Sequence, residues 1–210
     1  MTGKLHYQQQ TWETSSYPQQ HNQMNPAAQH TLAEPRLLAV DFTSWTGRHL
    51  RVTEGDSNGA LVYLADLKLR KPHMIFQAEG TARLPATVTF HSFSRTIDVN
   101  INGQDIPVRQ KGTFKYEIAF ESPALGGTVL TWKNPRYLKP FDLECYDENG
   151  VVFAKFVPSS SWSCKKAGRI ELYQACSTRS GLTDEVVVTG LALAYHIFTQ
   201  TVAANAGAAS

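Results

Sequence analysis

The chain has 210 residues, of which 42% are hydrophobic and 18% are charged, and its formal net charge is +2. This length and composition suit one globular domain with a substantial core. The small net charge excludes the broad basic surface of nucleic-acid-binding proteins, so we expect no nucleic-acid partner.

Residues 1–34 differ in composition from the rest of the chain. They are rich in glutamine, asparagine, serine and proline, with too few apolar side chains to offset the entropy that is lost on ordering. We therefore predict a disordered Gln/Asn/Ser/Pro-rich tail over 1–34. Within it, Trp12 and Tyr17 are candidate anchors for a protein partner, although an untethered tail is the simpler interpretation.

From Arg36 onward, short runs of β-branched and aromatic residues alternate with turn formers. This pattern is typical of a barrel or a sandwich. Asn102-Gly103 is a strong hairpin signal of this kind. The pattern predicts about a dozen strands, at 36–45, 48–53, 60–70, 73–78, 86–93, 95–101, 104–109, 114–120, 128–133, 141–146, 151–156 and 169–173.

The stretch from Leu182 to Gln200 constrains the fold most strongly. Thr183 is a plausible N-cap, and Asp184 and Glu185 place negative charge at the positive end of a helix dipole. From Val186 to Phe198 the apolar residues cover the whole circumference of a helix, which is typical of a helix buried on every side. Three consecutive valines also fit a buried strand, but the length favours a helix. The run is shorter than the roughly 20 residues of a membrane span, so we expect no transmembrane segment.

The strands and the helix explain each other. A dozen antiparallel strands can remove their edges by closing into a barrel, and a barrel of that size is too wide for its own strand side chains to fill. We therefore predict a mainly β fold, a closed antiparallel barrel of about twelve strands around a buried hydrophobic helix near 184–199. The domain is expected over 35–200, followed by a frayed small-residue tail at 201–210.

Three motifs in the last third of the chain are specific enough to suggest a family. They are D-E-N-G-V-V-F-A-K-F (147–156), K-K-A-G-R-I-E-L-Y (165–173) and D-E-V-V-V-T-G-L-A-L-A-Y-H (184–196). Together they resemble the ending of tubby C-terminal-like proteins, a superfamily that includes the tubby domain, the phospholipid scramblases and the LURP-one-related proteins. The chain is most similar to small fungal proteins with this domain. The resemblance implies a barrel of about twelve strands around a buried helix.

The resemblance also implies a non-enzymatic binding module, because tubby domains bind phosphoinositide head groups through a basic pocket. Basic residues beside aromatic ones in loops suit an anionic head group at a membrane surface, so we expect peripheral binding to anionic phospholipid. An ordinary solvated rim of lysines is the competing interpretation. The candidate ligand-binding residues are Lys133, Arg136 and Lys139, around Trp132 and Tyr137, and Lys165, Lys166 and Arg169, after Trp162. A third basic group closes a strand at Lys68, Arg70 and Lys71.

The sequence predicts no catalytic residue, no metal site and no cofactor. The serines at 159–161 have no G-x-S-x-G elbow, and Cys145, Cys164 and Cys176 lack the C-x-x-C spacing of a zinc site. Three thiols without a disulfide pattern or a leader peptide indicate a cytoplasmic protein. The alternative function is a protein-interaction scaffold or adaptor that uses the Gln-rich tail.

Overall fold

The computed structural model describes residues 34–43, 47–79, 84–91, 96–111, 117–135, 141–159, 166–179 and 181–208. Twelve strands and two helices lie in these residues. The strands are β1 Arg36–Phe42, β2 His49–Glu54, β3 Leu61–Leu67, β4 Met74–Ala78, β5 Ala86–Phe90, β6 Thr96–Ile101, β7 Gln104–Gln110, β8 Ile118–Ser122, β9 Thr128–Lys133, β10 Leu143–Tyr146, β11 Val152–Pro158 and β12 Lys166–Leu172. The helices are α1 Gln174–Ser177 and α2 Leu182–Ala208, and a single 3₁₀ turn spans Pro123–Leu125.

The strands form one closed barrel in which each strand pairs antiparallel with its neighbours in sequence, and β12 closes the ring against β1. Alternate side chains of a strand point to opposite faces. In β6, for example, Ile97, Val99 and Ile101 point inward and are buried. The predicted fold, a closed barrel of twelve strands with a C-terminal helix inside, is confirmed.

Helix α2 fills the barrel because its apolar side chains cover its whole circumference. Val186, Val187, Val188, Leu191 and Leu193 are all buried, with at most 2% of their surface exposed. The helix is longer than the sequence led us to expect, since it begins at Leu182 and continues to Ala208, through part of the predicted frayed tail. Its first 23 residues are long and apolar enough to cross a membrane by length and composition, but here that segment is the core helix of the barrel.

Two contacts fix the depth of the helix in the barrel. The Trp132 indole Nε1 donates a hydrogen bond to Thr189 Oγ1 at 3.0 Å, and both side chains are buried. At Gly190 the same indole leaves no space for a side chain, because an added Cβ would lie 2.6 Å from Trp132 Cζ2. A wall residue and a helix glycine therefore fit each other with little tolerance.

The first turn of α2 is held by polar contacts with the barrel wall. Tyr63 Oη donates to Asp184 Oδ1 at 2.6 Å, and the Ser122 hydroxyl donates to the Glu185 carboxylate. Glu185 Oε1 also accepts the backbone N–H of Ala124 at 2.9 Å. Both acidic residues are buried, and each has protein donors in place of the water that burial removes.

Several sequence predictions lie outside the described residues. Residues 1–33, and with them the predicted tail and its two aromatic anchors, belong to this group, so the scaffold alternative stays a prediction. Among the strands, β8 continues to Ser122, beyond its predicted end at 120, and β12 begins at Lys166, earlier than predicted.

Candidate functional site

The alternating strand directions give the barrel two different ends. Helix α2 starts beside Tyr63 and Ser122, and we call this the helix-start end. The helix passes down the barrel and reaches Phe90 at the opposite end, where its His196 ring stacks on the Phe90 ring with a centroid distance of 5.1 Å. We call this second end the helix-exit end. The connections after β1, β3, β5, β7, β9 and β11 all leave from it.

Charge is divided unequally between the two ends. Among the described residues outside strands and helices, the helix-exit end carries five basic and two acidic side chains: Arg48, Lys68, Arg70, Lys71, Lys111, Glu117 and Asp142. The helix-start end carries five acidic and one basic side chain: Glu34, Asp56, Glu79, Asp147, Glu148 and Arg179. The described connections are therefore basic at one end of the barrel and acidic at the other, although the net charge of the whole chain is only +2.

Among the described connections of the helix-exit end, the one from β3 to β4 combines exposed basic residues with an exposed apolar residue. We call Lys68–His73 the basic loop. The side chain of Leu69 is 91% exposed, and its neighbours Lys68, Arg70 and Lys71 are exposed too. Most large apolar side chains of the described chain are buried or half-buried, so a leucine at the tip of a cationic loop requires an explanation.

The basic loop is held in place at its base. Lys68 N–H donates to the carbonyl of His73 at 2.7 Å, which closes the loop on itself. The Phe90 N–H donates to His73 Nδ1 at 3.0 Å and ties the loop to the end of β5. An acceptor at Nδ1 requires a neutral imidazole. Burial and the nearby Lys71 and His91 lower the pKa of His73, which favours that neutral form.

The sequence-predicted ligand residues are only partly described. Lys133 ends β9 and Lys166 begins β12, both at the helix-exit end, and Arg169 lies further along β12. Arg136, Lys139 and Lys165 lie outside the described residues. Strands β9 and β12 are separated by β10 and β11, so the two strands lie about 14 Å apart around the wall, at roughly 4.8 Å per strand. Lys166 is also displaced along β12, because the residue of β12 in register with Lys133 is Glu171.

The wall between these residues is not a basic pocket. Lys133 is paired across strands with Glu144, Glu144 with Lys155, and Lys155 with Glu171. Lys155 Nζ lies 2.9 Å from Glu144 Oε1, and Arg169 Nε donates to Glu171 Oε1 at 2.9 Å. The signs therefore alternate around the wall and largely cancel at short range.

The two fully described candidates already have partners. Lys133 Nζ lies 4.1 Å from the centroid of the Tyr146 ring, and Arg169 is paired with Glu171. A cavity of about 230 Å³ on this part of the wall is lined by Asp142, Glu144 and Glu171 as well as Lys155. Three carboxylates against one ammonium do not suit an anionic ligand. The basic loop is therefore the better candidate within the described residues.

Cys145 and Cys176 are buried, and their surroundings make the two thiols unreactive. Burial raises the pKa of the Cys176 thiol to about 12 and that of Cys145 well above its ordinary value, so both are protonated and poorly nucleophilic. Both thiols are free. Within the described ranges, no three His, Cys, Asp or Glu side chains are grouped closely enough to hold a metal ion.

The comparisons with known proteins add no relative: no protein-family model, no curated protein and no solved structure matches the chain. Its class is therefore defined by its architecture, a closed antiparallel barrel filled by its own C-terminal helix. Its distinguishing surface is the helix-exit end with an apolar residue at the tip of a basic loop.

The sequence identified the cations of the basic loop as a group but did not show that Leu69 between them is exposed. The predicted strand over 60–70 gave Leu69 a place in regular structure, whereas β3 ends at Leu67. Pro72, directly after Arg70 and Lys71, indicated that the strand had to end before it, because a proline lacks the N–H that a central strand requires, but it did not show that β3 would end as early as Leu67.

Proposed function

We propose that this chain is a non-enzymatic, tubby-like binding module that attaches peripherally to anionic phospholipid membranes in the cytoplasm, with its helix-exit end towards the lipid. The observation that carries the proposal is Leu69, which is 91% exposed between three exposed cations. Cations are attracted to anionic head groups, and an apolar tip gains free energy only if it leaves water.

The free-energy contributions of the individual residues indicate that several residues of this end, and not one pocket, contact the membrane. Each lysine or arginine near an anionic membrane contributes about 1 kcal/mol, so the three cations of the basic loop contribute about 3 kcal/mol. Burial of the Leu69 side chain adds roughly 2 kcal/mol. This sum of about 5 kcal/mol gives only weak attachment, with a dissociation constant of roughly 0.2 mM.

Micromolar binding therefore requires the other cations of the same end. Arg48, Lys111 and Lys133 lie there, and three more contributions of about 1 kcal/mol bring the total to about 8 kcal/mol, or roughly 1 µM. The sequence-predicted residues remain part of this proposal through Lys133 and Lys166. Arg136 and Lys139 follow Lys133 in the same connection of the chain.

The projecting end of α2 supports the same orientation. Beyond Phe198 the helix carries only uncharged residues, most of them small, and Val202 is 51% exposed. An uncharged helix end beside a basic loop can approach the interface without the desolvation of a buried charge.

The test is co-sedimentation of the full chain with vesicles at physiological salt. Three compositions are compared: phosphatidylcholine alone, phosphatidylcholine with phosphatidylserine, and phosphatidylcholine with phosphatidylinositol 4,5-bisphosphate. We expect binding to both anionic mixtures, weakening with added salt, and little binding to phosphatidylcholine alone. The double variant Lys68→Gln/Arg70→Gln should bind about thirtyfold more weakly, for a loss of about 2 kcal/mol. Leu69→Ser should cost a similar factor and leave the salt dependence unchanged.

The matched control removes the same charge from the opposite end. Arg36→Gln/Arg179→Gln lowers the net charge by the same amount at the helix-start end, and it should change the affinity less than about twofold. Equal losses in the two double variants would mean that overall charge alone drives the binding. Such a result, or no binding to either anionic mixture, would refute the proposal.

A further inference from the structure

The barrel wall is incompletely paired at one place. Strands β7 and β8 share only two register pairs, Arg109 with Ala119 and Gln110 with Ile118. Towards the helix-start end this ladder stops, although β7 extends back to Gln104 and β8 continues to Ser122. We call this opening between the two described strands the β7–β8 gap.

Two features of the chain explain the gap. Pro107 is the next residue of β7 that faces β8, and it has no N–H with which to continue the ladder. The end of β8 is also held inward, because Ser122 and the backbone of Ala124 both donate hydrogen bonds to Glu185 of the central helix. Strand β7 therefore cannot pair fully because of Pro107, and the end of β8 is bonded to α2 instead.

The gap lies at a groove of about 490 Å³ on the outside of the barrel. The carboxylates of Asp105 and Glu121 are at its rim, and Arg109 lies where the ladder resumes. Its apolar lining comes from Pro107, Ala119, Pro123 and Val129. The groove therefore combines an apolar floor with two negative charges on opposite sides.

The backbone groups in the gap have a regular arrangement. In an antiparallel strand, alternate residues direct their N–H and C=O groups to the same side. Lys111 N–H donates to the carbonyl of Glu117, and Arg109 faces Ala119, so Pro107, Asp105 and Glu121 direct their backbone groups into the gap. The gap thus offers the N–H of Asp105 and of Glu121 and the carbonyls of all three residues.

We propose that the β7–β8 gap binds an extended peptide of a partner protein, which adds to the barrel as a further strand and places a lysine or arginine between Asp105 and Glu121. Backbone donors and acceptors at strand spacing are matched by another extended backbone, which is the usual mode of strand addition. Two carboxylates at the rim favour a cationic side chain over an anionic one. This site does not depend on lipid binding, because it lies towards the opposite end of the barrel.

The test uses fluorescently labelled seven-residue peptides of alternating valine and threonine with one central residue varied, titrated against the full chain. With central lysine we expect saturable binding, and with central glutamate a loss of at least tenfold. Two further lysine peptides are N-methylated on alternate amides, one on the even and one on the odd positions. A peptide inserted between β7 and β8 pairs with one strand through each of its edges, so each methylated peptide should bind at least tenfold more weakly than the unmethylated lysine peptide.

Variants of the protein separate this site from a nonspecific surface. Pro107→Thr supplies the missing N–H opposite Glu121, which precedes the bonded residues Ser122 and Ala124, so β7 can pair with β8 at that position. The variant should therefore weaken binding of the lysine peptide at least tenfold. The control Pro85→Thr changes another exposed proline at the same end and should have no effect. Absence of binding to the lysine peptide, undiminished binding of either methylated peptide, or unchanged binding in Pro107→Thr would each overturn the proposal.

Discussion

The close contact between Gly190 and Trp132 predicts that Gly190→Ala destabilises the protein, although helix propensity alone predicts that it stabilises the helix. Replacing a helical glycine with alanine normally stabilises a helix by about 1 kcal/mol. At position 190 the new Cβ would lie 2.6, 3.0 and 3.1 Å from three atoms of the Trp132 ring. Carbon atoms pack at about 3.5 Å, so the ring or the helix would have to move by about 0.9 Å.

The indole has little freedom to move. Trp132 is fully buried, and its Nε1 is bonded to Thr189, the neighbour of the substituted residue. Overpacking of such a site costs typically 1–3 kcal/mol. With a cost of about 3 kcal/mol for a fixed ring and a gain of about 1 kcal/mol from propensity, Gly190→Ala should lower the free energy of unfolding by about 2 kcal/mol.

Urea denaturation followed by tryptophan fluorescence measures this difference. Gly207→Ala is the matched control, because Gly207 lies in the same helix and an added Cβ there meets no atom within 4 Å. The control should be neutral or slightly stabilising. If Gly190→Ala were as stable as the original chain, the helix could not lie against Trp132 as described, and the account of the barrel core would fail.

Two further predictions concern pH. Burial raises the pKa of Glu185, although hydrogen bonds from Ser122 and Ala124 oppose this effect, so the folded state holds its proton more tightly than the unfolded chain. Its contribution to stability is present below pH 4.5 and lost as pH rises through the raised pKa, so Glu185→Gln should gain stability relative to the original chain over that rise. The gain in urea titrations should be about 1.4 kcal/mol for each pH unit between the folded and unfolded pKa values, and a constant difference would contradict this. The pKa of His73 is instead lowered, so its contribution is present above pH 6.5 and lost as pH falls through the lowered value. Amide exchange at Phe90, which donates to His73 Nδ1, should accelerate in that acid range beyond the intrinsic change, and His73→Asn, which keeps an acceptor but cannot titrate, should abolish the step.

The sequence specified the architecture because two of its patterns leave few solutions. Strict alternation in stretches such as 95–101 identifies strands with one buried face, and the apolar circumference from Val186 to Phe198 identifies a helix that must be enclosed. A closed barrel around that helix satisfies both. The end of the helix could not be predicted, because the residues after Gln200 have no apolar stripe, and Asn205 and Gly207, which are of the types that often end a helix, both lie within it.

The contacts that position the helix were beyond sequence reasoning. Tyr63 and Asp184 are 121 residues apart, and Ser122 and Glu185 are 63 apart, so no local pattern links them. The candidate site was predictable only in part. An up-and-down barrel sends every second connection to the same end, which places the basic groups at Lys68 and Lys133 at one end of the barrel but on opposite sides of the ring. The exposure of Leu69 depends on where β3 stops.

At Gly190, helix α2 lies so close to Trp132 that the helix cannot accept a methyl group, so the lumen has no space for a ligand at that point. The dipole of α2 favours acidic residues near the start of the helix and basic residues near its end. That effect fades within one turn and accounts for Asp184 and Glu185, which lie in the first turn. It does not explain why Leu69 is exposed, because Leu69 has no charge and the helix dipole does not act on it. The exposure of Leu69 is therefore the observation that favours the proposed membrane orientation, because the charges of the helix do not account for it.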